Sequence, residues 1–437
     1  MGRDRSAYIR RMAISDVDAY AHLTADQVDE LGAELDRIRA EVVESLGERD
    51  HRYIHTVIRL QRGLEVGARA LLMVAPRNRT VWAAGTTALA AAKIVENMEL
   101  GHNIMHGQWD WMNDPEIHST SWEWDLVGRA SDWKSTHNHH HHKYTNIVGM
   151  DDDVGFGVLR VTRDVPWEPR HAANIPTNAF LMLLFEWGIG LQKNKLRHAF
   201  PGGVATDRER ADSRAFLGKA GRQLLKDYVF FPMLSGPAWT AVLGANLTAN
   251  LARNIWTNAV IFCGHFPDGA EKFTIEDTET EDRSRWYLRQ MLGSANLSGG
   301  PVMDFFSGNL SFQIEHHMFP DLPSNRYAEV SLRVRELCER YDLPYVSGPL
   351  WAQYLQSWRT IARLSLPNRF LRDDADDATE TRSERMFEGA ERAAGLASAL
   401  RERVRGRGRR HRFARRRPTP LGPAARPVTV PGGPVAD

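Results

Sequence analysis

The sequence predicts an all-α protein, an integral membrane bundle of about four transmembrane helices beneath a helical cap. Three observations carry that expectation. Apolar runs at 64–75, 81–95 and 228–263 are separated or interrupted by turn residues and read as helical hairpins. Val28, Leu31, Leu35, Ile38, Val42 and Leu46 recur at spacings of three and four, the apolar stripe of a single helix. Histidines recur four residues apart, as in His102 and His106, which places both on one helix face.

Composition bounds this reading. The 437-residue chain is 42% hydrophobic, and its mean hydropathy of −0.43 argues against a polytopic transporter while permitting a few spans under a large water-facing part. Basic and acidic residues nearly cancel, so net charge points to no partner. Cys263 and Cys338 are the only cysteines, which implies no disulfide framework and a reducing cytoplasmic setting. No apolar stretch follows MGRDRSAYIRR, so no secretory signal is expected.

The elements follow in order. Residues 1–22 read as a polar arm, and Thr24 with Gln27 as the capping box of a helix ending near Gly47. Residues 1–63 are expected to form an N-terminal arm and amphipathic helix, residues 64–371 the catalytic domain, and residues 372–437 a basic, largely disordered tail. The runs 64–75 and 81–95 form a hairpin around Pro76–Thr80, each run shorter than the roughly 20 residues of a span. Its second helix continues through Glu96 and Glu99 and delivers His102 and His106. Residues 107–170 are polar and carry no span. Asn178–Leu191 is apolar, short, and contains Glu186, so it is expected at the cytoplasmic surface. The Lys/Arg-dense 192–226 then stays on the same side. A second hairpin runs from about Leu224 to Cys263 and turns near Gly236 and Pro237. Phe200-Pro-Gly-Gly203 lacks the histidine of a haem-binding HPGG motif, and a haem domain is rejected. The Arg-rich tail most simply contacts anionic lipid; no nucleic-acid partner is expected.

The histidines carry the chemistry. His102 and His106 form one group, His137, His141 and His142 a second, and Gln313-Ile-Glu-His316-His317 a third. Each neutral imidazole offers one nitrogen to a metal. A zinc takes at most four ligands, so three groups are too many for one zinc but suit two iron ions with positions open to oxygen.

HxxxH, then HxxxHH, then QxxHH, in the settings GHNIMHGQWDW, HNHHHHKYTNIVGMDDD and SFQIEHHMFPDLPSNRY, resembles the membrane fatty-acid desaturases, bacterial stearoyl-CoA and linoleoyl-CoA branch, over roughly residues 70–367. Within the run 139–142, the KYTN that follows resembles the family's ending and selects His141 and His142, leaving His139 and His140 outside the ligand set. The resemblance implies a cap holding a di-iron site ligated by His102, His106, His137, His141, His142, His265, His316 and His317. His265 enters because the family places a histidine after this helix, and Gln313 is then at best a weak or water-mediated contact. Glu315, Asp151 and Asp152 are expected to orient ligating imidazoles from behind.

The implied activity is O2-dependent removal of two hydrogens from a long-chain acyl-CoA or acyl-lipid. No flavin, haem or iron–sulfur motif is visible, so electrons would come from a separate ferredoxin or NAD(P)H-dependent reductase. The implied location is the inner membrane, multi-pass, with the catalytic face cytoplasmic and membrane lipid as a neighbour. A lipid hydroxylase on the same site remains an alternative, told apart by product mass, as does a membrane protein that only buffers metal, which would consume no oxygen.

Overall fold

A computed structural model describes residues 18–371, apart from residues 21, 75–76, 194–205, 276–277 and 279–280. The polar arm, the Phe200–Gly203 stretch and the tail therefore lie wholly or mainly outside the described residues. What is described is mostly helical, and two layers matter: a bundle, and a cap seated around the histidines.

The capping box forms as the residue pattern predicts. The Thr24 hydroxyl accepts from the Gln27 amide, and the Thr24 amide donates to Gln27 Oε1 at 2.9 Å. It opens α1 (Ala25–Glu44), whose stripe Val28, Leu31, Leu35, Ile38 and Val42 is buried. This face packs on Tyr287, Leu288 and Met291 of α8 (Arg283–Leu292), on Ile314 and Met318 of α9 (Gln313–Met318), and on Val330, Val334 and Leu337 of α10 (Tyr327–Arg340). The amphipathic N-terminal helix is thus part of the cap that carries the third histidine group.

The first hairpin is α2 (Glu48–Val74) and α3 (Arg79–Val95). Asn78 caps α3 by accepting from the Thr80 and Val81 amides at 3.0 and 3.1 Å. The hairpin packs on α7 (Trp239–His265), with Ala68, Leu72 and Leu89 against Val242, Ala245 and Ala249. Small residues on α7 let the backbones approach.

No described helix is long and apolar enough to cross a membrane, which overturns the expected integral membrane bundle. The physical reason can be read helix by helix. α3 has 17 residues and buries Lys93; α2 is longer but carries Arg69, Glu65 and Arg62. α7 has 27 residues, but Asn246, Asn250, Arg253, Asn254 and Asn258 interrupt its apolar character. The apolar stretch 178–191 is broken at Leu184 into α4 (Asn174–Leu183) and α5 (Phe185–Lys193), and Glu186 pairs with buried Arg253 at 2.6 Å. The turn at Gly236–Ala238 is where the second hairpin was expected to reverse, with α6 (Asp207–Leu225) before it and α7 after it. Residues 350–363 form the last long helix, α11 (Leu350–Arg363).

The all-helical expectation also missed one small sheet. β1 (Asn296–Ser298) and β2 (Ser347–Pro349) pair in parallel, with Asn296 opposite Ser347. The pair is short, but it holds Asn296 where its side chain accepts from the Ile314 amide at 2.8 Å, beside the third histidine group.

Inside the bundle, Lys93 is fully buried and donates to Asp227 at 2.9 Å and Asp125 at 3.1 Å. Burial pushes the Lys93 ammonium toward neutrality, but the two carboxylates outweigh it and raise its pKa. Replacing Lys93 with Ala leaves buried Asp227 and half-buried Asp125 without their most buried cation, with Lys226 still beside both. We expect a loss of about 3–5 kcal/mol of stability, read as a fall in denaturation midpoint; a change within experimental error would disprove this role for the pair.

Candidate metal centre

Both early histidine groups sit on helices wound locally as π-helix. Glu96–His102 continues α3 with five-residue backbone bonding, followed by Asn103–Met105. Lys134–His141 does the same between Ala130–Trp133 and His142–Tyr144. Such wide turns recur at functional sites. His106 N still bonds His102 O at 3.2 Å, so this pair keeps the common face read from its spacing.

The structure brings all eight named histidines together. Ring nitrogens of His102, His106, His137 and His316 lie within 4.8 Å of one another, and those of His141, His265 and His317 form a second such group. His142 stands between them, its ring centre 4.6 Å from His106, 4.9 Å from His316 and 4.4 Å from His317. His139 and His140 are exposed on the outer side of the same helix. His265 ends α7, and its Nε2 lies 3.1 Å from His317 Nε2 and 3.0 Å from the Gln313 amide nitrogen. Gly264 makes room for this: a Cβ there would come within 2.9 Å of Gln313.

The electrostatics suit metal binding. Burial pushes the His102 imidazole down to about 4. Burial, and then repulsion from neighbouring imidazoles, holds His106, His137, His142, His316 and His317 well below the usual range. They are neutral, with lone pairs available. His141 differs: burial pushes it down, but Asp151 and Asp153 outweigh this and raise it to about 9. The Nε2 atoms of His102, His106, His137, His141, His142 and His316 are buried with no hydrogen-bond partner. Orphaned buried acceptors cost roughly 1–3 kcal/mol each; the first group presents four of them, and in the second the Nε2 atoms of His265 and His317 face each other beside that of His141, an arrangement that fits imidazole-binding metal.

The acids named from the sequence fall in different places. Asp151 faces His141 Nδ1 at 3.0 Å and is itself held by the Asn146 amide at 2.8 Å. Asp152 is exposed, and the neighbour that turns inward is Asp153, 3.5 Å from His137 Nδ1 and 3.6 Å from His141 Nδ1. Glu315 points away from the imidazoles; it accepts from Asn296 and Tyr345, both at 2.9 Å, and burial raises it to about 7. Missed altogether were Asn103 beside His102, Tyr327 beside His316, and Gln290 beside His317. Asn103 was available as the residue next to a histidine; nothing local marks Tyr327 or Gln290.

A narrow cleft of about 40 Å³ opens beside the first group. His102 and His137 form one wall, and Trp124, Phe185, Ile189 and Ile261 supply apolar surface. A larger apolar groove along α2, around Gly63 and Gly67, does not touch the imidazoles.

Residues 80–349 match the fatty acid desaturase family model, and with that match the chain belongs to the fatty acid desaturase family. It is an oxidoreductase that desaturates fatty acyl chains. Among its relatives, the NADPH-dependent stearoyl-CoA 9-desaturase of Mycobacterium tuberculosis is 55% identical over 419 residues, covering 92% of this chain and 98% of the relative. The sn-1 linoleoyl-lipid 6-desaturase of Synechocystis is 25% identical over 308 residues, covering 66% and 82%.

Metal content distinguishes the inward from the outward histidines. His141→Ala should lose metal relative to wild type, and His139→Ala should keep it, measured by elemental analysis of the purified, metal-loaded protein. The reverse ranking would mean that the run is wound out of register.

Proposed function

We propose that this desaturase acts on a long-chain acyl-CoA, introducing a cis double bond at the 9-position of a stearoyl-length chain. The observation that carries the reading is the narrow apolar cavity running past His102 and His137, beside two converging imidazole groups. The preference for coenzyme A and for the 9-position comes from the name of the mycobacterial relative. The proposed metals are two irons, held by His102, His106, His137 and His316 on one side and His141, His265 and His317 on the other, with His142 between. Imidazole suits iron, and eight such ligands exceed what one zinc takes.

The reaction balances as R–CH2–CH2–R plus O2, two electrons and two protons, giving R–CH=CH–R and two waters. An unactivated methylene has no acidic proton, so side-chain acid–base chemistry cannot remove it, and bound iron would supply the oxidising power. The protein's share is position and exclusion of water. Trp124 and Trp133 wall the cavity next to His102 and His137, while Phe185, Ile189 and Ile261 extend its apolar surface. An alkyl chain lying there passes the first imidazole group at van der Waals distance from apolar side chains. The electrons are proposed to come from NADPH through a separate reductase in the cytoplasm.

Expression with a reductase in a host lacking desaturases should yield an 18-carbon product two hydrogens lighter, with the new double bond mapped to carbon 9. A product heavier by one oxygen would replace desaturation with hydroxylation. Ile261→Trp should fill the cavity and reduce turnover by at least tenfold while metal content stays at wild-type level. Undiminished turnover would place the acyl chain elsewhere. His265→Ala should lower metal content as severely as His316→Ala; an unchanged metal content would remove His265 from the ligand set.

A further inference from the structure

Behind the four-histidine group lies a buried polar network that the reaction itself does not use. Asn103, Gln108, Tyr327 and Glu99 are all fully buried. Their hydrogens can be assigned from their partners alone, without reference to a metal.

The Asn103 amide nitrogen sits among three acceptors: Glu99 O at 3.1 Å, Gly308 O at 3.1 Å and Glu99 Oε2 at 3.3 Å. The amide must therefore turn its oxygen toward His102 Nδ1, 2.9 Å away. An amide oxygen only accepts, so His102 Nδ1 carries the hydrogen and its Nε2 is bare. That Nε2 is buried with no partner. Gly308 is required for this arrangement: its φ is +71°, and a Cβ would lie 2.3 Å from Met98 O.

The same deduction holds for His316. The Tyr327 hydroxyl has one hydrogen and donates it to Phe319 O at 3.0 Å. It must then accept from His316 Nδ1 at 3.2 Å and from Gln108 Nε2 at 3.1 Å. His316 Nδ1 carries the hydrogen, and its Nε2 is bare and without a partner. Gln108 Nε2 also lies 3.4 Å from Asn103 Oδ1 and 3.1 Å from Pro320 O, so it ties the two halves together.

We propose that Asn103 and Tyr327, joined through Gln108, are positioning residues that lock His102 and His316 in the tautomer offering both Nε2 lone pairs to one metal position. The other position is held differently. His141 donates to the Asp151 carboxylate, and His317 Nδ1 to Gln290 Oε1 at 3.1 Å, Gln290 being oriented by its own donation to His142 O. Within the first position His102 and His316 are thus supported by neutral groups, while His137 faces the Asp153 carboxylate and His141 of the other position faces Asp151. This inference rests on the two-metal reading above.

The test is metal binding alone, without turnover. Purified wild type, Asn103→Leu, Tyr327→Phe, the double variant and Asp151→Asn are titrated with ferrous iron, and with cobalt(II) for its visible absorption. Wild type should take up two ions. Asn103→Leu and Tyr327→Phe should each weaken one and the same ion by about 10–100-fold, with the other ion bound as in wild type. The double variant should lose no second ion, and adding Asp151→Asn should weaken that remaining one, because substitutions at separate positions add and those in one network do not. Should Asn103→Leu fail to fold, Tyr327→Phe, which removes one hydroxyl, decides alone. Wild-type affinity for both ions in Tyr327→Phe, or equal weakening of both, overturns the proposal. A wild type that binds a single ion overturns the two-metal reading and the proposal with it.

Discussion

Eight imidazoles are gathered in one place, six of them with a buried Nε2 that has no hydrogen-bond partner, and much of the cap exists to make that tolerable. Crowding favours neutral rings, since each added charge repels the rest, and His141 is the exception because Asp151 and Asp153 stand beside it. Keeping a ring neutral with the correct nitrogen bare requires something fixed on its other side. The structure supplies a different partner almost every time: an amide at His102, a phenol at His316, a carboxylate at His141 and a glutamine at His317. Asn103 directly follows His102, while the other partners lie further away along the chain, and each must itself be held. Hence the parallel pair that seats Asn296 against Glu315 and Ile314, and hence glycines at 264 and 308, where backbone or side chain approaches too closely for a Cβ.

The bundle serves the same end from below. The helix bearing His102 and His106 is the continuation of α3, so its height and rotation are those of α3. Lys93, one turn before the π-helical segment, is fastened to Asp125 and Asp227 on two other segments. Burying such a cluster adds little net stability, because desolvation offsets most of the attraction. Its contribution is specificity: a slip of α3 by one residue would separate Lys93 from both acids. The ionic contacts thus set the register that the imidazoles need.

Much of the cap was legible from residue pattern. The Thr24–Gln27 box, the stripe from Val28 to Val42 and the hairpin turn at Asn78 are local signals, and local geometry decides them. The choice of His141 and His142 over the two histidines before them rested on the residues that follow, and burial separates the same two pairs. Asn103 apart, the misses share a cause: they depend on what lies across the fold. Nothing local distinguishes Asp153 from Asp152 in a run of three aspartates, since which one turns inward is set by the loop. The π-helical turns leave no clear sequence mark. The membrane spans were inferred from apolar runs that themselves contain Arg69, Lys93 and the asparagines of α7, polar residues that the helices bury against one another. A tyrosine 11 residues beyond His316 becomes its partner only because the chain folds back between them.

The order of the ligands along the chain has a consequence for how the protein is made. The four-histidine group draws on residues 102, 106, 137 and 316, and the three-histidine group on 141, 265 and 317. Neither can close until nearly three quarters of the chain has been synthesised, and each closes loops of well over a hundred residues. Contacts so distant in sequence form late and slowly. Until they do, the early imidazoles are exposed to whatever metal the cell offers, and two histidines four apart on a nascent helix already make a weak bidentate ligand. Selecting the right ion is therefore a matter of timing during biosynthesis as well as of the finished site's geometry.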